Sequence, residues 1–460
     1  MGLQTPIIFK LLYPFIFSLV PVTLYNICRS EVNRSVGLSA TFFFIFTFSA
    51  FFGEMASVNR QIVGEFFMLL SVLLWLSKTV PLGEKRILLM VFGISMVVSH
   101  YSIVVLYLVF ISVIVVLSSI KPKFDNVYNS FGVLSVFVTA FFWYAFSASP
   151  VLDSIVLTIK RVASQFFTFH LQGAGVAASI YILPNSFTVA TWINLLLSSV
   201  TTLSLVLGII IAILFSRKMG ISDKYRSAIG FAAVIFAISY VFPAFAATLN
   251  FTRYYAITML MLSPCFAIGI LSVFKFVRNA ARKGNRSQER DFFFVGKTGK
   301  MAMLLVAIIL GAYFLSQSGF VNYVTDGAIH SYTFDYYRLK TSNNPQTQVA
   351  FHYAYIPVQD VFSSNWLSSF ANRSSFVYSD TFSNYHVLAS EGLVPGNLIL
   401  DLTNDTKPDK GRFVYLDSLN VGKNLIPGPE GLFNTSAVSS SLNDCNLVYS
   451  NGKSEIRWGL

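Results

Sequence analysis

Ten apolar stretches recur along the first 321 residues, near 9–27, 36–52, 61–76, 86–98, 103–120, 131–146, 191–215, 227–249, 254–276 and 301–321. A helix needs about 20 mostly apolar residues to cross a bilayer. No soluble core absorbs ten such runs, so the pattern predicts an α-helical polytopic membrane protein. Composition agrees: 54% of the 460 residues are hydrophobic, only 12% are charged, and mean hydropathy is +0.63. That charge is about half of what soluble domains carry. Disordered, collagen-like and disulfide-scaffold classes are excluded, and Cys28, Cys265 and Cys445 form neither a metal spacing nor a framework. The start MGLQTP lacks the myristoylation pattern, and no small-residue cleavage site follows the first apolar run.

The net charge of +12 is unevenly spread. Residues 322–460 carry −3, and residues 1–321 carry +15. The basic residues of the first part concentrate in alternate loops, 28–35, 77–86, 121–130, 216–226 and 275–300, which hold nineteen Lys and Arg against five on the opposite side. This bias puts those loops in the cytoplasm. It reads as topology rather than as a nucleic-acid surface, because no basic stripe lies outside the loops.

The expected organisation is a membrane domain, 1–321, followed by an extracytoplasmic α/β domain, 322–460. The pair 86–98 and 103–120 reads as a tight helical hairpin, or as one broken helix. An even number of spans leaves both ends outside, so the reading favours an odd number of further spans upstream of Met1; a miscounted span is the alternative. Between the sixth and seventh spans, Leu152, Ile155, Val156, Ile159, Val162, Phe166 and Phe169 recur at helical spacing opposite Asp153, Lys160, Arg161, Ser164, Gln165 and Thr168. This predicts an interfacial helix near 151–170, imperfect because Leu157 interrupts the polar face.

In the tail, Val349–Ile356, Phe376–Tyr378 and Arg412–Leu416 read as strands. Asp360–Phe370 reads as a helix with Asp360 as its N-cap. Leu447–Ser450 and Ser454–Trp458 flank Asn451-Gly452, a hairpin turn signal. Sequons begin at Asn372, Asn404 and Asn434, which suits an exported surface.

Polar groups inside spans are informative because lipid penalises them. Glu65 lies one turn inside the third stretch, with Gln61 four residues earlier on the same face. Glu54, Asn59 and Arg60 precede it. His100 and Tyr101 sit at the hairpin tip, and Arg253 and Tyr254 open the ninth stretch. All map to the outer side. An Arg fork suits a phosphate or pyrophosphate, a carboxylate can orient or deprotonate an acceptor hydroxyl, and His can relay a proton. Each has a plainer role: Glu65 as a partner of Arg60, His100 as a hairpin cap, Arg253 as an interfacial anchor. P-loop, GxGxxG, HExxH, CxxC and GxSxG patterns are absent, and the five scattered His argue against a multi-His site. No cofactor is indicated, and no ligand set supports a divalent metal.

The runs FKLLYPFIFSLVPVTLY (9–25), GEMASVNRQIVGEFF (53–67), VFGISMVVSHYS (91–102), TRYYAITMLMLSPCFAIG (252–269), DVFSSNWLSS (360–369) and LVYSNGKSEIRW (447–458) resemble an uncharacterised archaeal multi-pass membrane family. Its layout is similar to GT-C type glycosyltransferases, which include protein O-mannosyltransferases. The resemblance implies a polyprenyl-phosphate-linked sugar donor, a glycan or protein acceptor, and work on the outer membrane face. Such enzymes carry an essential acid in the first outside loop, and no Asp or Glu occurs here before Glu31, so no main catalytic acid is carried over. By the same analogy Glu54 matches a second acidic position and Arg253 a lipid-phosphate arginine. The clustering on one side, independently of the resemblance, points to Arg60, Glu65, His100, Tyr101, Arg253 and Tyr254 as substrate-binding, with Glu54 catalytic. The alternative function is a non-catalytic envelope component, such as a lipid-linked glycan flippase or an assembly subunit.

Overall fold

A computed structural model describes residues 11–47, 50–56, 60–120, 127–148, 156–157, 160, 188–241, 251–281, 297–325, 336–372, 374–429 and 431–460. The chain divides into two compact units, Met1–Val321 and Asn322–Leu460.

In the first unit a helix occupies each apolar stretch: Tyr13–Glu31, Arg34–Phe46, Gln61–Leu76, Leu82–Ser99, Tyr101–Ile120, Ser130–Phe142, Val189–Leu214, Asp223–Val241, Phe251–Ala281 and Lys297–Gln317. Five contain segments long and apolar enough to cross a membrane: Tyr101–Ile120, Ser130–Ser147, Val189–Leu214, Tyr254–Arg278 and Gly299–Gln317. Arg34–Phe46, with 13 residues, is too short to cross alone, since each residue rises about 1.5 Å against a hydrocarbon core of about 30 Å. The expected interfacial helix falls almost wholly outside the described residues.

Among the five long spans, one is far more buried than the rest. In Tyr254–Arg278, 83% of the apolar window is buried, against 17–39% for the other four spans. Where it crosses Val189–Leu214 the backbones touch: a Cβ added at Gly208 would overlap the Cys265 carbonyl, and one at Gly269 the Ser204 carbonyl. Small residues permit such crossings in lipid, where close packing replaces the hydrophobic drive. Phe266 of the same helix stacks on Phe43 with ring centroids 4.3 Å apart, and Phe43 in turn faces Tyr313 at 5.7 Å.

Polar contacts define the two ends of this unit. At one, Ser222 N donates to Glu31 Oε2 (3.2 Å), Lys224 Nζ reaches Trp75 O (3.4 Å), and Lys85 Nζ donates to Ser77 O. Loops 28–35, 77–86 and 216–226 therefore share a basic end. At the other, Tyr313 Oη donates to Thr47 Oγ1 (3.5 Å) and Ser316 Oγ to Asn194 Oδ1 (2.6 Å).

The second unit holds a mixed five-stranded sheet in the order β2-β1-β3-β7-β6, with β1 Val377–Ser379, β2 Ile399–Asp401, β3 Phe413–Leu416, β6 Cys445–Ser450 and β7 Glu455–Gly459. Strands β1, β2 and β3 run parallel, and β7 pairs antiparallel with β3 and β6. Strands β4 Leu425–Gly428 and β5 Gly431–Asn434 form a separate hairpin. The turn between β6 and β7 uses Gly452 at φ +81°, while Asn451 Oδ1 accepts from Ser454 N at 2.9 Å.

Two expectations are corrected. Val349–Ile356 is no strand: residues 345–354 form a helix, begun by Pro345 and capped by Asn344, whose Oδ1 accepts from Thr347 N at 3.2 Å. The alternation of Val349, Phe351, Tyr353 and Tyr355 mimicked a strand, but the Asn-Pro start signal prevails, and Phe351 and Tyr355 pack at i,i+4 with centroids 5.1 Å apart. Asp360 is not an N-cap either. Pro357 precedes helix Val358–Phe370, and the Asp360 carboxylate bonds elsewhere.

Candidate functional site

The end of the helical unit opposite the basic loops collects the groups singled out in the sequence. Glu54 lies in a short helix, Phe52–Ala56, and is 5% exposed. Arg60, exposed, leads into helix Gln61–Leu76. One turn on, Glu65 is fully buried, and Gln61 Nε2 donates to its Oε1 at 2.7 Å. The i,i+4 spacing produces this pair. A charge-assisted bond from an amide compensates part of the cost of taking a carboxylate out of water. Gln61 is thus one partner of the Glu65 carboxyl. Gly64 lets this helix approach Tyr101–Ile120, because a Cβ there would sit 3.3 Å from Ile103.

His100 ends helix Leu82–Ser99 in extended backbone at φ −159°. Its Nδ1 pairs with Ser102 Oγ at 2.8 Å, and its ring stacks on Tyr101 at 4.9 Å. The hairpin reading and the capping role of His100 share one geometry: two helices meet at a single extended residue. Tyr254, 5% exposed, lies within electrostatic reach of the Tyr101 hydroxyl. Arg253 belongs to the first turn of helix Phe251–Ala281. Asn59 is outside the described residues.

Sequence reasoning missed Tyr144. Its hydroxyl donates to Val97 O at 2.7 Å, and both Arg60 and Tyr101 are electrostatic neighbours. It therefore links the hairpin tip to the start of helix Gln61–Leu76. The available signal was a Tyr at the end of an apolar stretch, where the amphipathic ring meets the interface. Arg60, Tyr101, Tyr144 and Tyr254 form one neighbourhood, and His100 joins through its stacked ring. Glu54 and Glu65 stand on neighbouring elements at the same end.

A second polar constellation, also missed, lies in the second unit. Asp380, Asp401 and Asp417 each stand at or just after the C-terminal end of a parallel strand. Asp380 Oδ1 caps the following turn by accepting from Phe382 N and Ser383 N, both at 2.8 Å. Asp417 forms a capping box with Asn420. Asp360 Oδ2 accepts from Ser418 Oγ at 2.6 Å, and burial pushes its carboxyl up to about 6. Burial likewise raises Asp380, while Asp417 is lifted well above the usual carboxylate range by burial and then by the Asp380 and Asp360 charges. The signal was present: short apolar runs followed by Asp-Thr-Phe-Ser and Asp-Ser-Leu-Asn are strand-to-helix starts. Among the described residues, no group of three or more His, Cys, Asp or Glu is placed to hold a metal ion.

A search of curated proteins finds no match to the chain. A family model described as a predicted membrane protein, DUF2206, matches residues 85–457. That span takes in His100, Tyr101, Tyr254 and the sheet as far as Arg457 within β7, and starts after Glu54, Arg60 and Glu65. The chain therefore belongs to the DUF2206 family of predicted membrane proteins.

Proposed function

We propose that this membrane protein acts on a polyprenyl-phosphate-linked sugar at the end of its helical unit opposite the basic loops, on the outer membrane face, in the manner of a GT-C type glycosyltransferase. The observation that carries the reading is the shared neighbourhood of Arg60, Tyr101, Tyr144 and Tyr254, with buried Glu54 and Glu65 on the elements that flank Arg60 in sequence. Arg60 supplies a fork for donor phosphate, and Arg253 opens a helix at the same end. Glu54 is the group for the acceptor hydroxyl. His100, Tyr101 and Tyr254 shape the pocket, and Gln61 holds Glu65 in place.

The test is thermal unfolding of the purified chain with saturating polyprenyl-phosphate sugar. A ligand held only by the native state at about 100 times its Kd stabilises by about 2.7 kcal/mol, and Arg60→Ala should lose most of that protection. An unchanged midpoint in the parent, or equal protection of Arg60→Ala, would reject the site. Protection without sugar transfer to glycan or protein acceptors would favour the alternative, a non-catalytic handler of lipid-linked glycan.

A further inference from the structure

A cleft of about 260 Å³ lies at the basic end of the first unit, between helices Leu82–Ser99, Tyr101–Ile120 and Ser130–Phe142. Its floor includes Tyr107 and Ile111, both buried. Its rim includes Ile87 and Phe131, which are 64% and 72% exposed. Exposed apolar side chains on a membrane-embedded unit face hydrocarbon, so the cleft opens sideways into lipid rather than into water. Above it the helices close: a Cβ on Gly93 would lie 2.7 Å from Val136. The volume is just under the roughly 300 Å³ at which drug-sized sites begin, and it suits a slender hydrocarbon chain.

Three further observations give this cleft a polar mouth. Arg86 lines it. The 13-residue helix Ser130–Phe142 begins there, with Phe131 and Gly132 in the lining, so the partial positive charge of a helix N-terminus is present. The Tyr128 hydroxyl is buried, and its one hydrogen-bond neighbour among the described residues is the Tyr107 hydroxyl, in less than ordinary geometry. A buried donor in that state favours an acceptor brought by a ligand. The surrounding loops carry the basic excess, which adds attraction for an anion.

We propose that this cleft binds one chain of an anionic membrane phospholipid, whose phosphate is held by Arg86 and the N-terminus of helix Ser130–Phe142. The site stands at the opposite end of the unit from the proposed sugar-lipid site, so each succeeds or fails separately. The test uses the full chain in detergent, with bound lipid counted by native mass spectrometry during titration with dioleoyl phosphatidylglycerol or dioleoyl phosphatidylcholine. The expected result is retention of phosphatidylglycerol about tenfold or more tighter than phosphatidylcholine, as a charge-assisted contact implies, with the preference lost in Arg86→Gln. Met90→Trp, at the rim of the cleft, should weaken both lipids while leaving the unfolding midpoint unchanged, which keeps the test valid if Arg86→Gln folds poorly. Equal retention of the two lipids, an unaffected Arg86→Gln, or full displacement by inorganic phosphate alone would overturn the proposal; the last would mark a free-anion site.

Discussion

Ser383 sits between two carboxylates that it cannot satisfy together. Its Oγ lies 3.0 Å from Asp380 Oδ2 and 3.0 Å from Asp417 Oδ2, yet a hydroxyl has one proton to donate. The second contact needs a proton on a carboxyl, and burial raises both acids in that direction. Asp417→Asn supplies the missing donor permanently. Its Oδ1 can keep accepting from Leu419 N and Asn420 N, now at 2.9 Å each, while Nδ2 donates to Ser383 and Ser383 donates to Asp380. The two oxygens share one Oγ neighbour and so lie within about 6 Å of each other, where two unit charges at an effective dielectric near 20 repel by about 3 kcal/mol. Asp417→Asn should therefore stabilise the second unit by about 1–3 kcal/mol at pH 8. The gain should vanish near pH 4, because a group whose folded pKa is raised keeps its full stability below the unfolded pKa and loses it as pH rises through the folded one. Asp380→Asn should act alike. The double variant should gain less than the sum, since it leaves the Ser383 proton without a carboxylate. Hydrogen exchange of peptides covering 377–389 and 413–425 in the full chain, compared between variant and parent at each pH, gives the readout. Destabilisation by Asp417→Asn at pH 8, or a gain that persists at pH 4, would refute the shared proton.

His352 works against this trend. Its Nε2 meets Ser418 Oγ at 2.9 Å, and burial, then the Lys423 charge, lowers its pKa to about 4. Stability tied to a depressed base is present above the unfolded pKa, about 6.5, and is lost as pH falls toward 4. His352→Gln should flatten that loss in the same exchange experiment, and an unchanged acid limb would count against it. In the first unit, Gly269→Ala should lower the unfolding midpoint in detergent by the equivalent of about 1–3 kcal/mol or more, because its Cβ meets the Ser204 backbone. Gly230→Ala, with open space around it, should be neutral or stabilising by about 0.4–1 kcal/mol. Equal midpoints for the two alanine variants would show that the crossing is not tight.

The helical unit was legible because lipid imposes a simple rule. Each apolar stretch had to satisfy its own backbone, so each became a helix. Which helix would be central was hidden. The stretch 254–276 is no more apolar than its neighbours, and only the glycines of the crossing hint at it. The tail was partly legible: the β6–β7 hairpin came from Asn451-Gly452, and β3 from its apolar run. Strand β1, three residues long, was read from Phe376–Tyr378, whereas β2, Ile399–Asp401, equally short, was missed. Residues 345–354 misled because aromatic alternation copies a strand when only one helical face is packed.

The candidate site was legible to the extent that polarity in a span demands a reason, and not beyond it. Gln61 and Glu65 could be paired from spacing alone, because the helix brings i and i+4 together. Tyr144 and Tyr101 could not, since 43 positions separate them in the chain and only the folded hairpin makes them neighbours. The aspartates of the second unit teach the converse. Asp380 and Asp417 look like ordinary helix caps in sequence, and each does cap. Their coupling through Ser383 arises because parallel strands β1 and β3 lie side by side and deliver both caps to one edge of the sheet. Local chemistry chose each residue; adjacency of strands placed both carboxyls on the one Ser383 hydroxyl.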